Sequence, residues 1–189
     1  MAYSELYKRV QTQPNGRVKT SWIRDQIIDL THVCRVHEQW TGHLNPEVLR
    51  GFYIEGPLGP PVPVEKNEIL IVLARDIPKT DRRIVFTKEL MHTFDEEEEK
   101  TNTAEKFSMQ IEKFGDPNLP TSPQFAAEGK AYWRAIGVLC TEKKRLELRD
   151  ALNEGNATME IVATQLKLPT WVTHDIMRDD FEAIINHLK

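Results

Sequence analysis

The chain has 189 residues, 40% of them hydrophobic and 29% charged, which describes one globular domain, or one domain with a small appendage, large enough for a sizeable core. A net charge of -4 and a pI near 5.9 leave no basic footprint for nucleic acid or an anionic membrane, so non-specific DNA binding is disfavoured. The longest apolar runs, such as ILIVLA at 69 to 74, fall far short of the ~20 residues of a spanning helix, and the N-terminus lacks a secretory pattern.

Two cysteines, Cys34 and Cys140, sit far apart in segments that read as helical, so a reduced, cytoplasmic protein with no membrane partner is expected. Residues 21 to 40 carry apolar side chains at Ile23, Ile27, Leu30 and Cys34, with Ser21 as an N-cap, and predict one helix packed on one face. His32 and His37 flank Cys34 but face differently on such a helix, so structural or solvent roles are expected for them.

GFYIEG (51 to 56) and EILIVLARDI (68 to 77) read as strands able to pair antiparallel, the second buried, joined by a rigid Pro-rich connector. A helix of about 80 to 95 follows. Phe86, Leu90 and Phe94 form its apolar stripe, widened by Ile84 and Met91, while Lys88, Glu89 and His92 make a polar trio on another side. The acidic run 95 to 99 reads as a solvated loop that ends this helix, since carboxylates oppose the negative end of the macrodipole.

A further helix is predicted over about 101 to 114, with Phe107, Ile111 and Phe114 as its apolar face, closed by the loop GDPNLPTSP. From Gln124 the text is helical as far as Gly155, a C-cap candidate, with Trp133, Ile136, Leu139, Cys140, Leu146 and Leu152 as expected buried positions. Two shorter helical units then flank Pro169. Ile161, Ala163, Leu166, Leu168, Val172 and Ile176 have the rhythm of a helix-turn-helix. Asp175, Asp179, Asp180 and Glu182, against Arg178 and Lys189, favour a structural helical pair over a DNA reader.

The segment KELMH (88 to 92) is what carries chemistry. A zincin helix reads H-E-x-x-H, with both His as ligands and the Glu activating a metal-bound water. Here Glu89 and His92 occupy the last two roles and Lys88 replaces the first His. No serine-hydrolase elbow, P-loop, dinucleotide fingerprint or CxxC pair competes with it, and Cys140, although conceivable as a partner of His92, is expected to be an inert buried thiol.

The order of a strand, RRIVFTKELMHTFD, an acidic gap, TAEKFSMQI and a helical tail resembles the ImmA/IrrE family of metallopeptidase-like proteins. Arg83, Glu89, His92, Ala104 and Phe107 match the family text in order, whereas Ile84, Val85 and Thr87 depart from it. The likeness in layout runs over roughly residues 20 to 180, and the motif match is confined to 83 to 107. The resemblance implies an α+β, mainly helical fold: a small β-sheet packed beside a zincin-like helix in a core of 1–120, with a C-terminal helical region, 121–189, on it or continuous with it. It also implies a bacterial or phage context, because intact members cleave helix-turn-helix repressors.

Two departures bear on activity. Lys88 stands at the first ligand position and Thr103 at the third, so neither zinc nor another cofactor is expected. Lys88 is then expected either to pair with Glu89 or Glu105, standing near the lost ion while His92 bonds nearby, or to face solvent. The reading that follows is a catalytically inactive, protein-binding regulatory module whose partner is a protein such as a helix-turn-helix regulator. The alternatives are an active zinc endopeptidase and a DNA-binding regulator. The endopeptidase would use Glu89 as base, His92 as ligand, and Glu105 or one of Glu96 to Glu99 as another.

Overall fold

The computed structural model describes residues 2–57, 59, 63–101 and 122–189. Its first helix, α1 (Ala2–Gln11), buries Tyr3, Leu6, Tyr7 and Val10, the i, i+3, i+4, i+7 face of an amphipathic helix. Helix α2 (Thr20–Leu30) buries Ile23 and Ile27 but stops ten residues short of the predicted end, and Ser21 lies inside its first turn rather than capping it. The chain turns at Thr31, whose side chain bonds back to the Ile27 carbonyl and accepts from the Val33 N–H. It then continues as strand β1 (Arg35–Thr41). The β-branched and aromatic residues Val36, Trp40 and Thr41 suit a strand, and pairing with a neighbour outweighs the weak helical rhythm beyond Leu30.

Strands β2 (Gly51–Glu55) and β3 (Glu68–Ala74) complete a three-stranded sheet in the order β1-β3-β2. β2 pairs antiparallel with β3, Gly51 opposite Leu73 and Glu55 opposite Ile69, whereas β1 runs parallel to β3. Every residue of the central strand is buried, as its continuous apolar run predicts. Gly51 permits a close approach, because a Cβ there would lie 2.8 Å from Leu73 and 3.1 Å from Val85 of the next helix.

That helix, α3 (Arg82–Met91), passes into a single 3-10 turn, His92–Phe94. It is buried on nearly all sides, including Thr87 and Glu89, rather than along one stripe. The next helix of the described residues packs against it. Helix α4 (Pro123–Leu139) starts on a Ser122 cap with Pro123 in its first turn. The run predicted as one helix from 124 breaks at Cys140, which is extended and bridges to Arg17, and α5 (Glu142–Asn153) restarts on a Thr141 cap. Gly155, in the left-handed region at φ +73°, closes α5 as expected for a C-cap.

The tail holds three helices rather than two: α6 (Met159–Leu166), α7 (Thr170–Ile176) and α8 (Phe181–Leu188). Lys167 at φ +53° makes the tight turn between α6 and α7. Leu146, expected to be buried, is exposed, and of the helix-turn-helix rhythm Ile161 is exposed while Leu166, Leu168, Val172 and Ile176 are buried. The main hydrophobic cluster runs from Tyr3 to Ile185 and draws on both sides of residue 120. No helix of the described residues is long and apolar enough to cross a membrane. The fold is therefore α+β and mainly helical with a small sheet. The helix predicted at 101 to 114 lies, apart from Thr101, outside the described residues, as do Thr103, Ala104, Glu105 and Phe107.

Candidate functional site

Arg83 anchors the helix that carries the site. Its guanidinium donates to the carbonyls of Val18, Leu139 and Leu166, tying α3 to the approach to α2, the end of α4 and the end of α6. Burial, with repulsion from Arg17, pushes it down to about 10, so it is still protonated at neutral pH and every bond is charge-assisted.

One turn further on, the Lys88 ammonium lies 3.0 Å from Glu89 Oε1 and donates to Glu128 Oε2 on α4. Burial opposes the lysine charge, but Glu89 and Glu128 together override it and raise the pKa above its ordinary 10.5. Lys88 therefore does not face solvent freely, and Glu89 is 2% exposed. Of the two carboxylates named from sequence as its partners, Glu89 is in contact and Glu105 lies outside the described residues.

His92 is buried too. Its Nδ1 lies 2.6 Å from Asp95, which also accepts from Arg134 at 3.0 Å. Nδ1 is thus the donor, and Nε2 is turned toward Glu128 and Glu89 at 3.5 and 3.8 Å, beyond normal hydrogen-bond length. Tyr53 of β2 stacks on the imidazole with ring centroids 5.2 Å apart and planes 2° from parallel. A carboxylate on Nδ1 that aims Nε2 into an acidic site is the second-layer arrangement that orients metal-ligating histidines.

The acidic run thus splits. Asp95 is buried and bonded rather than part of a solvated loop, Glu99 pairs with Lys130, and Glu96 to Glu98 are exposed. Sequence reasoning missed Asp95, Arg134, Tyr53 and Glu128. Glu128 had a signal: it lies three and seven residues before the fully buried Ala131 and Ala135, on the same side of α4.

The donor set does not fit zinc as it stands, because an ammonium with no lone pair is bonded between the two carboxylates beside His92. Among the described residues, no group of three or more His, Cys, Asp or Glu is arranged to hold a metal ion.

The other sequence candidates separate. His32 pairs with Glu55 and His37 with Glu68, while Cys34 is exposed in the link before β1 rather than helical. Cys140 is buried, and burial pushes its thiol up to about 12. Iodoacetamide at neutral pH is expected to add to Cys34 and spare Cys140 in the folded protein, and to modify both in denaturant, as read by peptide mass spectrometry. Helix α7, the would-be reading helix of the tail, spends side chains on α4: Asp175 accepts from Tyr132, and Trp171 stacks on Tyr132 with centroids 5.9 Å apart.

A cleft of about 240 Å³ opens over Lys88, Glu89 and Glu128, walled by residues 46 to 51, Ile84, Val85, Tyr132 and Trp171. No protein-family model, no curated protein and no solved structure matches the chain.

Proposed function

We propose that this protein is a catalytically inactive, ImmA/IrrE-like, protein-binding module in which the Lys88 ammonium serves as a built-in cation where a zincin would hold its metal. The observation that carries the reading is the Lys88 bond to both Glu89 and Glu128 beside an oriented His92. A fixed cation occupies the space between the two carboxylates and leaves no Lewis acid there to polarise a carbonyl or acidify a water. The walls of the cleft are built from fold residues and do not depend on an ion, so binding outlasts hydrolysis. The cytoplasmic setting, the bacterial or phage context and a helix-turn-helix regulator as partner follow from the same resemblance. The contacts of α7 with α4 favour this reading over a DNA-binding tail, because a groove-reading helix needs those side chains free.

Elemental analysis after zinc exposure and dialysis tests the reading. The natural protein is expected to retain no zinc, and near one zinc per chain, lost in His92→Ala, would overturn the proposal. Lys88→His restores H-E-x-x-H with Glu128 alongside as a third ligand. This variant is expected to take up about one zinc, as catalytic sites with three protein ligands do, and Lys88→His/Glu128→Gln is expected to lose it. The test needs no substitution at Thr103, the position first expected to supply the third ligand.

A further inference from the structure

Three backbone segments meet at one guanidinium. The carbonyls of Val18, Leu139 and Leu166 all accept from Arg83, and the Thr141 N–H donates to the Gly16 carbonyl, which gathers residues 16–19, 139–143 and 166–167 near the start of α3. Each segment brings cations: Arg17 and Lys19, Lys143 in the first turn of α5, and Lys167 at the turn between α6 and α7. Lys19, Lys143 and Lys167 are exposed, Arg17 is half-buried, and none of the four is in an ion pair among the described residues. Residues 12 to 21 and 163 to 170 contain no carboxylate, and the two acids nearest Lys143 are taken, Glu142 by Arg145 and Glu147 by Lys144. Like charges gathered without counter-charge repel one another, as Arg17 does Arg83, whereas a surface that meets no partner intersperses both signs. One apolar side chain stands with them: Leu146, 37% exposed, lies three residues on from Lys143 and on the same side of α5.

We propose that this surface docks an acidic segment of a partner protein, whose carboxylates lie on Arg17, Lys19, Lys143 and Lys167 and whose apolar neighbour packs on Leu146. It is a second site, because none of these residues lines the cleft over Lys88. Two observations select a short acidic segment over a nucleic acid. The whole chain has a net charge of -4, so outside this cluster the excess of acid is larger still, and a long phosphate backbone overhanging the patch would be repelled. Leu146 offers a contact that a phosphate backbone cannot use and an acidic segment with apolar residues can. The Arg17 guanidinium is a planar fork that matches a carboxylate, and the three lysines add point charges that draw the segment in.

The test uses the full chain on an array of short random peptides, followed by titration of the strongest binders by fluorescence anisotropy. Glutamate and aspartate next to apolar residues are expected to be enriched. Binding of these peptides is expected to weaken roughly tenfold between about 50 and about 300 mM salt. Lys143→Glu is expected to weaken it about tenfold, while Lys66→Glu, the same change in net charge at an exposed position before β3, leaves it within about twofold. Lys143 is exposed and a glutamate in the first turn of α5 suits the helix dipole, so the variant keeps the fold. Leu146→Ser is expected to weaken the acidic-apolar peptides and to spare versions with serine in place of their apolar residues. Enrichment of basic or uncharged peptides, equal losses in Lys143→Glu and Lys66→Glu, no response to Leu146→Ser, or tighter binding of a labelled DNA duplex or of phosphatidylserine vesicles would each overturn the assignment.

Discussion

Lys88→Met is expected to lower the unfolding free energy by about 3–5 kcal/mol, the cost of leaving a buried charge without its partner. Methionine fills much of the lysine volume, so the loss comes from charge rather than from a cavity. Glu89, at 2% exposure, then loses the ammonium that it shares with Glu128. In a chain of this size the change corresponds to a melting temperature lower by roughly 10 °C, measurable by thermal or urea unfolding. Lys88→Met/Glu128→Gln should recover part of the loss, because one of the two carboxylates that face position 88 is then uncharged.

The pH dependence has a definite sign. The lysine pKa is raised in the folded state above its ordinary 10.5, so its stabilisation is complete below that value and is lost as pH rises through the folded value. The natural protein should therefore weaken in the alkaline range above about 10.5 by a component that Lys88→Met lacks. A Lys88→Met protein as stable as the natural one at neutral pH would show that the ammonium is not the counter-ion of this site, and would remove the main support for the proposed function.

Arg83→Met is the second large effect, about 3–4 kcal/mol, from the unsatisfied acceptors it leaves. The carbonyls of Val18 and Leu166 lose their guanidinium donor, while that of Leu139 keeps the Val18 N–H at 3.3 Å. Because the bonds reach three separate segments, the loss should loosen the packing of α3 against all of them together. Arg83→Lys should restore only part of the stability, since a single ammonium cannot span the acceptors as the planar fork does. Urea unfolding of the variants checks this. A neutral Arg83→Met would mean that water replaces the guanidinium freely.

Local patterning accounts for what could be read without a structure. The buried run Ile69 to Ala74 and its antiparallel partner Gly51 to Glu55 follow from continuous apolar and β-branched text. Gly155 ends its helix because it accepts a positive φ. The face of Tyr3, Leu6, Tyr7 and Val10 is equally legible from its spacing. Where two local signals competed, long-range pairing decided. Residues 35 to 41 became a strand because β3 offers a full set of backbone partners in parallel register. The helical run at 140 broke because Arg17 bridges Cys140 and the Gly16 carbonyl accepts from the Thr141 N–H.

For the site, the order of the residues sets their types and their spacing on one helix, with Lys88, Glu89 and His92 as neighbours on its surface. Spacing along a helix says which side chains are neighbours on its surface but not what lies across from them. Only the tertiary structure decided that this surface is buried, that Glu128, some forty residues on, closes the charge of Lys88, and that Asp95 and Tyr53 fix His92. A charge in a low-dielectric interior has to find its counter-charge wherever the fold brings one, and that distance in space is not written in the distance along the chain.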